Sequence, residues 1–225
     1  MVSTGSELVT PGEPLERGQI PESNSELLDG LVTEAGCEVV LRLSVPDEGD
    51  GPADAVAAAS ALGADVVVFT GGVSAGAYEP VKNSLAGVME FTKVAMQPGK
   101  PQGFGVTDGG MLLFGLPGNP VSAAVSFEVF VRPALLALQG RTALDRPVLR
   151  LTAAQGWRTP PGRRQYLAAA IDRTDPARWT VRPATAGGSG SHLAGGLARA
   201  DAYAIVPAEV GAVAAGDQVD VMLIT

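Results

Sequence analysis

Cysteine and histidine are nearly missing from this chain of 225 residues, which holds one of each, Cys37 and His192. No disulfide can close within it, and no Cys/His zinc site can be assembled. A Ser-His-Asp triad would have to use His192, which ends the Gly/Ser-rich run 187–191, a poor place to hold a base rigidly. Long apolar runs are missing too. None approaches 18 residues, so no membrane span is expected. The Met-Val-Ser start lacks the basic segment and apolar core of a signal peptide. Basic residues are outnumbered, 16 against 24 acidic ones, for a formal charge of −8. That balance argues against nonspecific nucleic-acid binding but allows an anion in a local basic pocket. The expectation is a cytoplasmic chain with neither nucleic acid nor membrane as a partner.

Glycine (29) and proline (17) are plentiful, well above the usual combined share of about 12%, and they call for many turns and short strands. An apolar fraction of 46% suffices for a core and excludes a disordered chain. Up to residue 140, strand and helix signals alternate. The spacing predicts a helix over 22–35, with Ser23 or Asn24 as N-cap, an apolar stripe of Leu27, Leu28, Leu31 and Val32, and Gly36 as the stop. A strand is expected over 38–45 and an Ala-rich helix over 52–62. The run Asp-Val-Val-Val-Phe-Thr (65–70) reads as a strand buried on both faces, hence a parallel sheet. A short helix over 79–86 and a hairpin around Thr107-Asp108-Gly109-Gly110 follow. A long helix is expected over 119–138, with Asn119 as N-cap and Pro120 at its first position.

Near Arg141 the composition changes. From 147 onward no helical periodicity persists over three turns. Short runs at 148–152, 166–171, 179–183, 203–206 and 219–224 predict a small β-barrel or sandwich. The division expected is an α/β domain over 1–144 and a β domain over 145–225. Only Met1 to Thr4 remain for the strand that opens the sheet, shorter than usual, as if the chain were cut inside that strand.

Four segments carry chemistry. Thr70-Gly71-Gly72-Val73-Ser74-Ala75-Gly76 follows the buried strand, and its glycines suit either a phosphate- or pterin-binding nest or an ordinary turn. Gln97-Pro98-Gly99-Lys100-Pro101 holds a lysine on a stiff loop, fit for an anion or simply solvated. Gly115-Leu116-Pro117-Gly118-Asn119-Pro120-Val121-Ser122 leads into the long helix, whose N-terminus is a ready anion site with Ser122 in its first turn. Ser3-Thr4-Gly5-Ser6-Glu7-Leu8 ends the first strand, where Glu7 could bind a hard cation such as Mg²⁺ or stay solvated. Later, Pro161-Gly162-Arg163-Arg164 is a basic turn, and Gly188-Ser189-Gly190-Ser191-His192 is a donor-rich loop. Cys37, among apolar residues, reads as a core thiol.

In this order the segments, with Glu22-Ser23-Asn24 between the first two strands, resemble the molybdopterin molybdenumtransferase family, which includes MoeA and the E domain of gephyrin. The resemblance covers the whole chain. It implies a MogA-like molybdopterin-binding α/β domain with a mostly parallel sheet, followed by a small C-terminal β-barrel domain. It implies insertion of molybdate into adenylylated molybdopterin with release of AMP, aided by Mg²⁺, in a homodimer. It places molybdate on Lys100, Ser122, Arg163 and Ser191, in a cleft between the domains. Molybdopterin falls to Thr4, Gly5, Ser6, Gly71, Gly72, Val73, Ser74, Gly76, Pro101, Pro117, Gly118 and Asn119, and Mg²⁺ to Glu7 and Glu79. The family's two N-terminal domains have no counterpart in these residues, so the chain alone is expected not to turn over.

The sequence departs from the family pattern at four positions. Ser6 and Glu79 stand where Asp is usual, Gln97 where a second Lys is usual, and Ala168 where Arg is usual. Those departures keep open a non-catalytic molybdopterin-binding or scaffold module. A MogA-type molybdopterin adenylyltransferase is the third reading, against which the long β domain speaks.

Overall fold

The computed structural model describes residues 1–74, 79–185 and 194–224. The chain forms two compact units. One comprises Met1–Val94 and Pro101–Thr142, the other Ala95–Lys100 and Ala143–Thr225.

In the first unit β1 (Val2–Thr4) is followed by a small parallel ribbon, β2 (Leu8–Val9) with β3 (Ile20–Pro21), then α1 (Asn24–Glu34), β4 (Leu43–Val45), α2 (Gly51–Ala61), β5 (Val66–Thr70), α3 (Pro80–Leu85) and β6 (Met89–Lys93). After β7 (Met96–Gln97), which belongs to the second unit, come β8 (Pro101–Val106), β9 (Leu112–Leu116) and a helix, α4, over Pro120–Leu138. The sheet order is β4-β1-β5-β9-β8-β6. The first four strands are parallel, while β8 and β6 run antiparallel at one edge. The β8–β9 hairpin closes where the sequence placed it, with Gly110 N–H donating to Thr107 O at 2.8 Å.

β5 explains the layering. Its side chains alternate between faces. Val67 and Phe69 enter a core with Ala55 and Ala59 of α2 and Val81 and Leu85 of α3. Val68 enters the opposite core with Leu28 and Val32 of α1 and Phe127, Val131 and Leu135 of α4. Both faces are thus covered, as a continuous apolar strand requires. Phe69 is fully buried, a contribution of about 1.5–3 kcal/mol.

α4 is 19 residues long and apolar enough, by length and composition, to cross a membrane, although Glu128 and Arg132 interrupt the apolar run that the sequence shows. Its buried residues pack in the core just described. The N-cap is Asn119 with Pro120 first in the helix, as expected. Residues Phe127–Val131 adopt a π-helical turn. Pro133 follows two residues later and cannot donate the N–H that an α-helix needs there, so the ladder widens locally.

Two expectations shift. β4 spans Leu43–Val45 rather than 38–45. Parallel register sets Val2 opposite Leu43, and β4 begins where β1 supplies a partner. Cys37, expected in the core, is half-buried at its rim, where its Sγ accepts a hydrogen bond from Gln139 Nε2 at 3.3 Å.

In the second unit, β7 is followed by β10 (Val148–Ala153), β11 (Trp157–Arg158), β12 (Arg164–Asp172), β13 (Thr180–Pro183), β14 (Ala202–Val206), β15 (Ala212–Val213) and β16 (Gln218–Leu223). The order β13-β10-β16-β14-β12, closed by a β12–β13 pairing, makes a five-stranded barrel. All five predicted runs are barrel strands. Ala153, Ala169, Ala202 and Ala204 fill the interior among Leu167, Val181, Val206 and Val221, because so small a barrel takes few large side chains. The described part of the unit adds one 3₁₀ turn, Ala194–Arg199. β11 and β15 form a separate pair, and β7 runs parallel to β12, with Met96 opposite Arg164 and Gln97 opposite Gln165.

Candidate functional site

The carboxyl ends of β1, β5 and β9 meet in the first unit. Gly71 N–H donates to Leu116 O at 2.9 Å, and Thr4 Oγ1 donates to Thr70 O at 3.2 Å. The approach is closer than side chains allow. A Cβ on Gly71 would stand 2.6 Å from Thr4 Oγ1 and 2.7 Å from Thr4 O. Gly71 and Gly72 also have φ of +87° and +64°, a region that costs other residues about 1–2 kcal/mol. A Cβ on Gly118 would lie 3.4 Å from Gly71 Cα. Three loops therefore form one backbone cradle, with Gly118 and Asn119 exposed, Gly71 and Gly72 half-exposed, and the N-terminus of α4 directly after them. A helix N-terminus of this kind presents a positive end to an anion or a flat polar ring.

A buried carboxylate stiffens the cradle from behind. Glu22 accepts from Ser3 Oγ at 2.9 Å, from Asn24 N–H at 2.7 Å, from Ser25 N–H at 3.1 Å, and from Ser25 Oγ. Thr70 Oγ1 donates to Ser3 Oγ at 3.3 Å. Asn24 Nδ2 donates to Gly118 O at 2.7 Å, linking the start of α1 to the third loop. Ser3, Thr4, Glu22, Asn24 and Thr70 are all buried. Ser23 is the N-cap residue of α1, but the capping is done by Glu22. Neither Glu22 nor Asn24 is among the sequence-predicted site residues. The signal available was an acidic residue immediately ahead of a Ser-Asn helix start.

The other expected residues are distributed as follows. Gly5 is buried, with the exposed Glu7 carboxylate lying over it. Ser6 exchanges hydrogen bonds of 3.1 Å with Asp47, each backbone N–H donating to the other's side chain. Val73 is a core residue packed against Gly115. Ser74 donates from N–H at 2.7 Å and from Oγ to the buried Glu79 carboxylate. Pro117 is buried, and Ser122 is buried in the first turn of α4. Pro101 opens β8. Lys100 is exposed in the second unit, as is part of Arg163, whose Nη1 donates to Gln97 Oε1 at 2.7 Å. Gly76 and Ser191 lie outside the described residues. The structure thus brings together Thr4, Gly71, Gly72 and Gly118 in one unit, and Arg163 with the Lys100 loop in the other.

Comparisons with known proteins match the chain in two stretches. Residues 1–137 match the family model described as a probable molybdopterin binding domain. Residues 150–224 match that of the MoeA C-terminal region, domain IV. Molybdopterin molybdenumtransferase 2 of Mycobacterium tuberculosis is 41% identical over 233 residues, covering 100% of this chain and 56% of that protein. The molybdopterin molybdenumtransferase of Haemophilus influenzae is 33% identical, covering 98% of this chain and 54% of that protein. A crystal structure of the MoeA protein from Pyrococcus horikoshii superposes with a TM-score of 0.78 at 28% identity, over 100% of this chain and 53% of that one. The chain spans about half the length of the relatives it matches.

Proposed function

Because this chain belongs to the molybdopterin-binding family of molybdenum cofactor biosynthesis, with a molybdenumtransferase C-terminal region behind it, we propose that it binds adenylylated molybdopterin and molybdate as part of a molybdopterin molybdenumtransferase. The reaction proposed inserts molybdate into the dithiolene carrier and releases AMP. One observation carries this reading. Thr4, Gly71 and Gly118 form a cradle in which Gly71 approaches Thr4 too closely for any side chain, beside a helix N-terminus. The phosphate and pterin of the substrate need backbone donors that come near without side chains between. Ser122, in the first turn of the same helix, is proposed as a hydroxyl donor there.

Gly118→Val tests the cradle. Its Cβ has room at 3.4 Å from Gly71 Cα, so the fold survives while the branched side chain intrudes on the ligand. The expected result is loss of molybdopterin binding in a fluorescence titration, with an unchanged melting midpoint. Unchanged affinity in the folded variant would sink the reading.

Molybdate is a dianion, and we assign its binding to Lys100 and Arg163. Gln97, where the family pattern has a second lysine, holds the Arg163 guanidinium through its Oε1. One cation is exchanged for a neutral acceptor that orients another. Charge-assisted hydrogen bonds contribute about 1.5–3 kcal/mol each, so Lys100→Ala and Arg163→Ala should each weaken molybdate binding roughly ten- to hundredfold. Calorimetry giving equal dissociation constants for wild type and both variants would contradict the assignment.

The described residues do not fit the Mg²⁺ site that the family implies. No group of three metal-ligating side chains forms among them. Glu79 has both oxygens engaged by Ser74, and Glu7 lies over Gly5. The same reading carries a cytoplasmic homodimer, which sedimentation of the purified chain tests. A binding module without turnover is the second reading, favoured by Ser6, whose partner carboxylate Asp47 comes from another loop. AMP release from adenylylated molybdopterin on addition of molybdate, measured on this chain joined to the remaining part of its Mycobacterium tuberculosis relative, separates the two.

A further inference from the structure

Gln165 is fully buried, yet its Nε2 has no hydrogen-bond partner among the described residues. It lies on β12, on the face that Leu167, Ala169 and Ile171 turn into the barrel. Its Oε1 accepts from Trp157 Nε1 at 3.1 Å. An indole nitrogen can only donate, so this contact fixes which way the amide faces. Turned over, the amide would set donor against donor. Two N–H bonds are left over in a place closed to solvent. Buried donors are nearly always paired, so this exception calls for an acceptor that arrives from outside the chain.

The surroundings of Gln165 suit an anion. β7 runs parallel to β12 and sets Gln97 opposite Gln165. Paired residues of adjacent strands share a face, and the strands lie about 4.7–4.9 Å apart, so the two amides are side by side. Gln97 Oε1 is taken by Arg163 Nη1 at 2.7 Å. Arg164 N–H donates to Ala95 O at 2.9 Å and ties the 95–100 loop to the strand. Lys100 ends that loop, after the buried Pro98 and Gly99. The Arg163 guanidinium and the Lys100 ammonium bring donors and no acceptor, as the Gln165 N–H groups do. Although the whole chain is acidic, this unit holds more lysine and arginine than aspartate and glutamate.

We propose that the Gln165 amide is a third ligand of the oxyanion assigned above to Lys100 and Arg163, and that it selects tetrahedral oxyanions carrying no proton. The proposal rests on that molybdate assignment and deepens it. A neutral amide adds hydrogen bonds without a further charge to bury. Donors alone satisfy molybdate or sulfate, whose oxygens only accept at neutral pH. Inorganic phosphate keeps at least one proton there, and its O–H would meet donors instead of an acceptor. A site discriminates most strongly where a mismatch leaves buried polar groups unpaired.

The test is calorimetry on the full chain at neutral pH with molybdate, sulfate and inorganic phosphate. The wild type should bind sulfate at least about tenfold more tightly than phosphate, an anion of similar size. Gln165→Glu keeps an oxygen for Trp157 and removes the donors. It should bind molybdate at least about tenfold more weakly and prefer phosphate to sulfate. Gln165→Met, of similar length, should lose the preference between those two. Lys100→Ala should weaken all three anions and leave their order unchanged, because an ammonium acts as a point charge. Wild-type affinities and order in both Gln165 variants, with Lys100→Ala weakened, would overturn this proposal and leave the molybdate assignment standing. Equal binding by wild type and Lys100→Ala would overturn both. A further measurement needs no variant to fold. The side-chain amide protons of Gln165 in the wild type should shift in NMR spectra on addition of molybdate, and unshifted resonances at saturation would overturn the proposal.

Discussion

Gly71→Val is expected to destabilise the first unit by more than about 3 kcal/mol and to remove ligand binding with it. Two costs add. At φ +87° a β-branched residue carries about 1–2 kcal/mol of backbone strain. The new Cβ also meets Thr4 Oγ1 at 2.6 Å and Thr4 O at 2.7 Å, and the second of these is backbone that cannot rotate away. Relief requires β1 and β5 to separate at their carboxyl ends, where Thr4 Oγ1 bonds Thr70 O. A loss of 3 kcal/mol corresponds to a fall of about 6–12 °C in melting midpoint for a chain of this size. Gly72→Ala should behave more mildly, because its nearest neighbours, at 3.0 Å, are side-chain atoms of Pro80, Thr4 and Val81. Urea denaturation checks both, and a Gly71→Val variant within 0.5 kcal/mol of wild type, a margin typical of neutral surface changes at about that size, would refute the close approach.

Glu22→Ala is expected to cost about 3 kcal/mol. The carboxylate satisfies the Asn24 and Ser25 N–H groups at the start of α1 as well as the Ser3 and Ser25 hydroxyls. Losing a helix cap alone costs about 0.5–2 kcal/mol, and each buried donor left unpaired adds about 1–3 kcal/mol before relaxation. Glu22→Gln keeps an acceptor oxygen and should lose about half as much, since hydrogen bonds to a charged group are the stronger ones. The damage should spread to the cradle, because Asn24 is bonded to Gly118 O. Faster amide exchange at the start of α1 and in residues 116–119 checks that coupling. An Ala variant as stable as wild type would mean that the buried network is dispensable.

Gln97 shows how a departure in sequence can be read in two ways. From the sequence it is a missing positive charge. In the structure its Oε1 accepts from Arg163 Nη1 at 2.7 Å, an arrangement that a lysine at 97 would oppose with a second cation.

What the sequence determined was whatever depends on neighbours along the chain. Asn119 and Pro120 mark the start of α4 because a cap and a preset φ are local properties. The run 66–70 is a strand covered on both faces because five consecutive apolar or small residues leave no polar face to show to water. The five barrel strands were marked as short runs with Gly, Pro and Asp between them. The glycines at 71 and 72 suited a nest or an ordinary turn alike, and which atoms they approach was not legible. Tertiary structure decided what depends on partners far apart in sequence. β7 is two residues long and joins β12 across 68 positions, which no local pattern encodes. Glu22 became the centre of a network because β1, α1 and β5 converge on it, and its own neighbours show only a polar helix start. β4 is shorter than its apolar run because a parallel strand exists only as far as its partner does. Hydrogen-bond partners in a sheet are set by how the chain packs in space, and a sequence pattern fixes only which residues are able to take them.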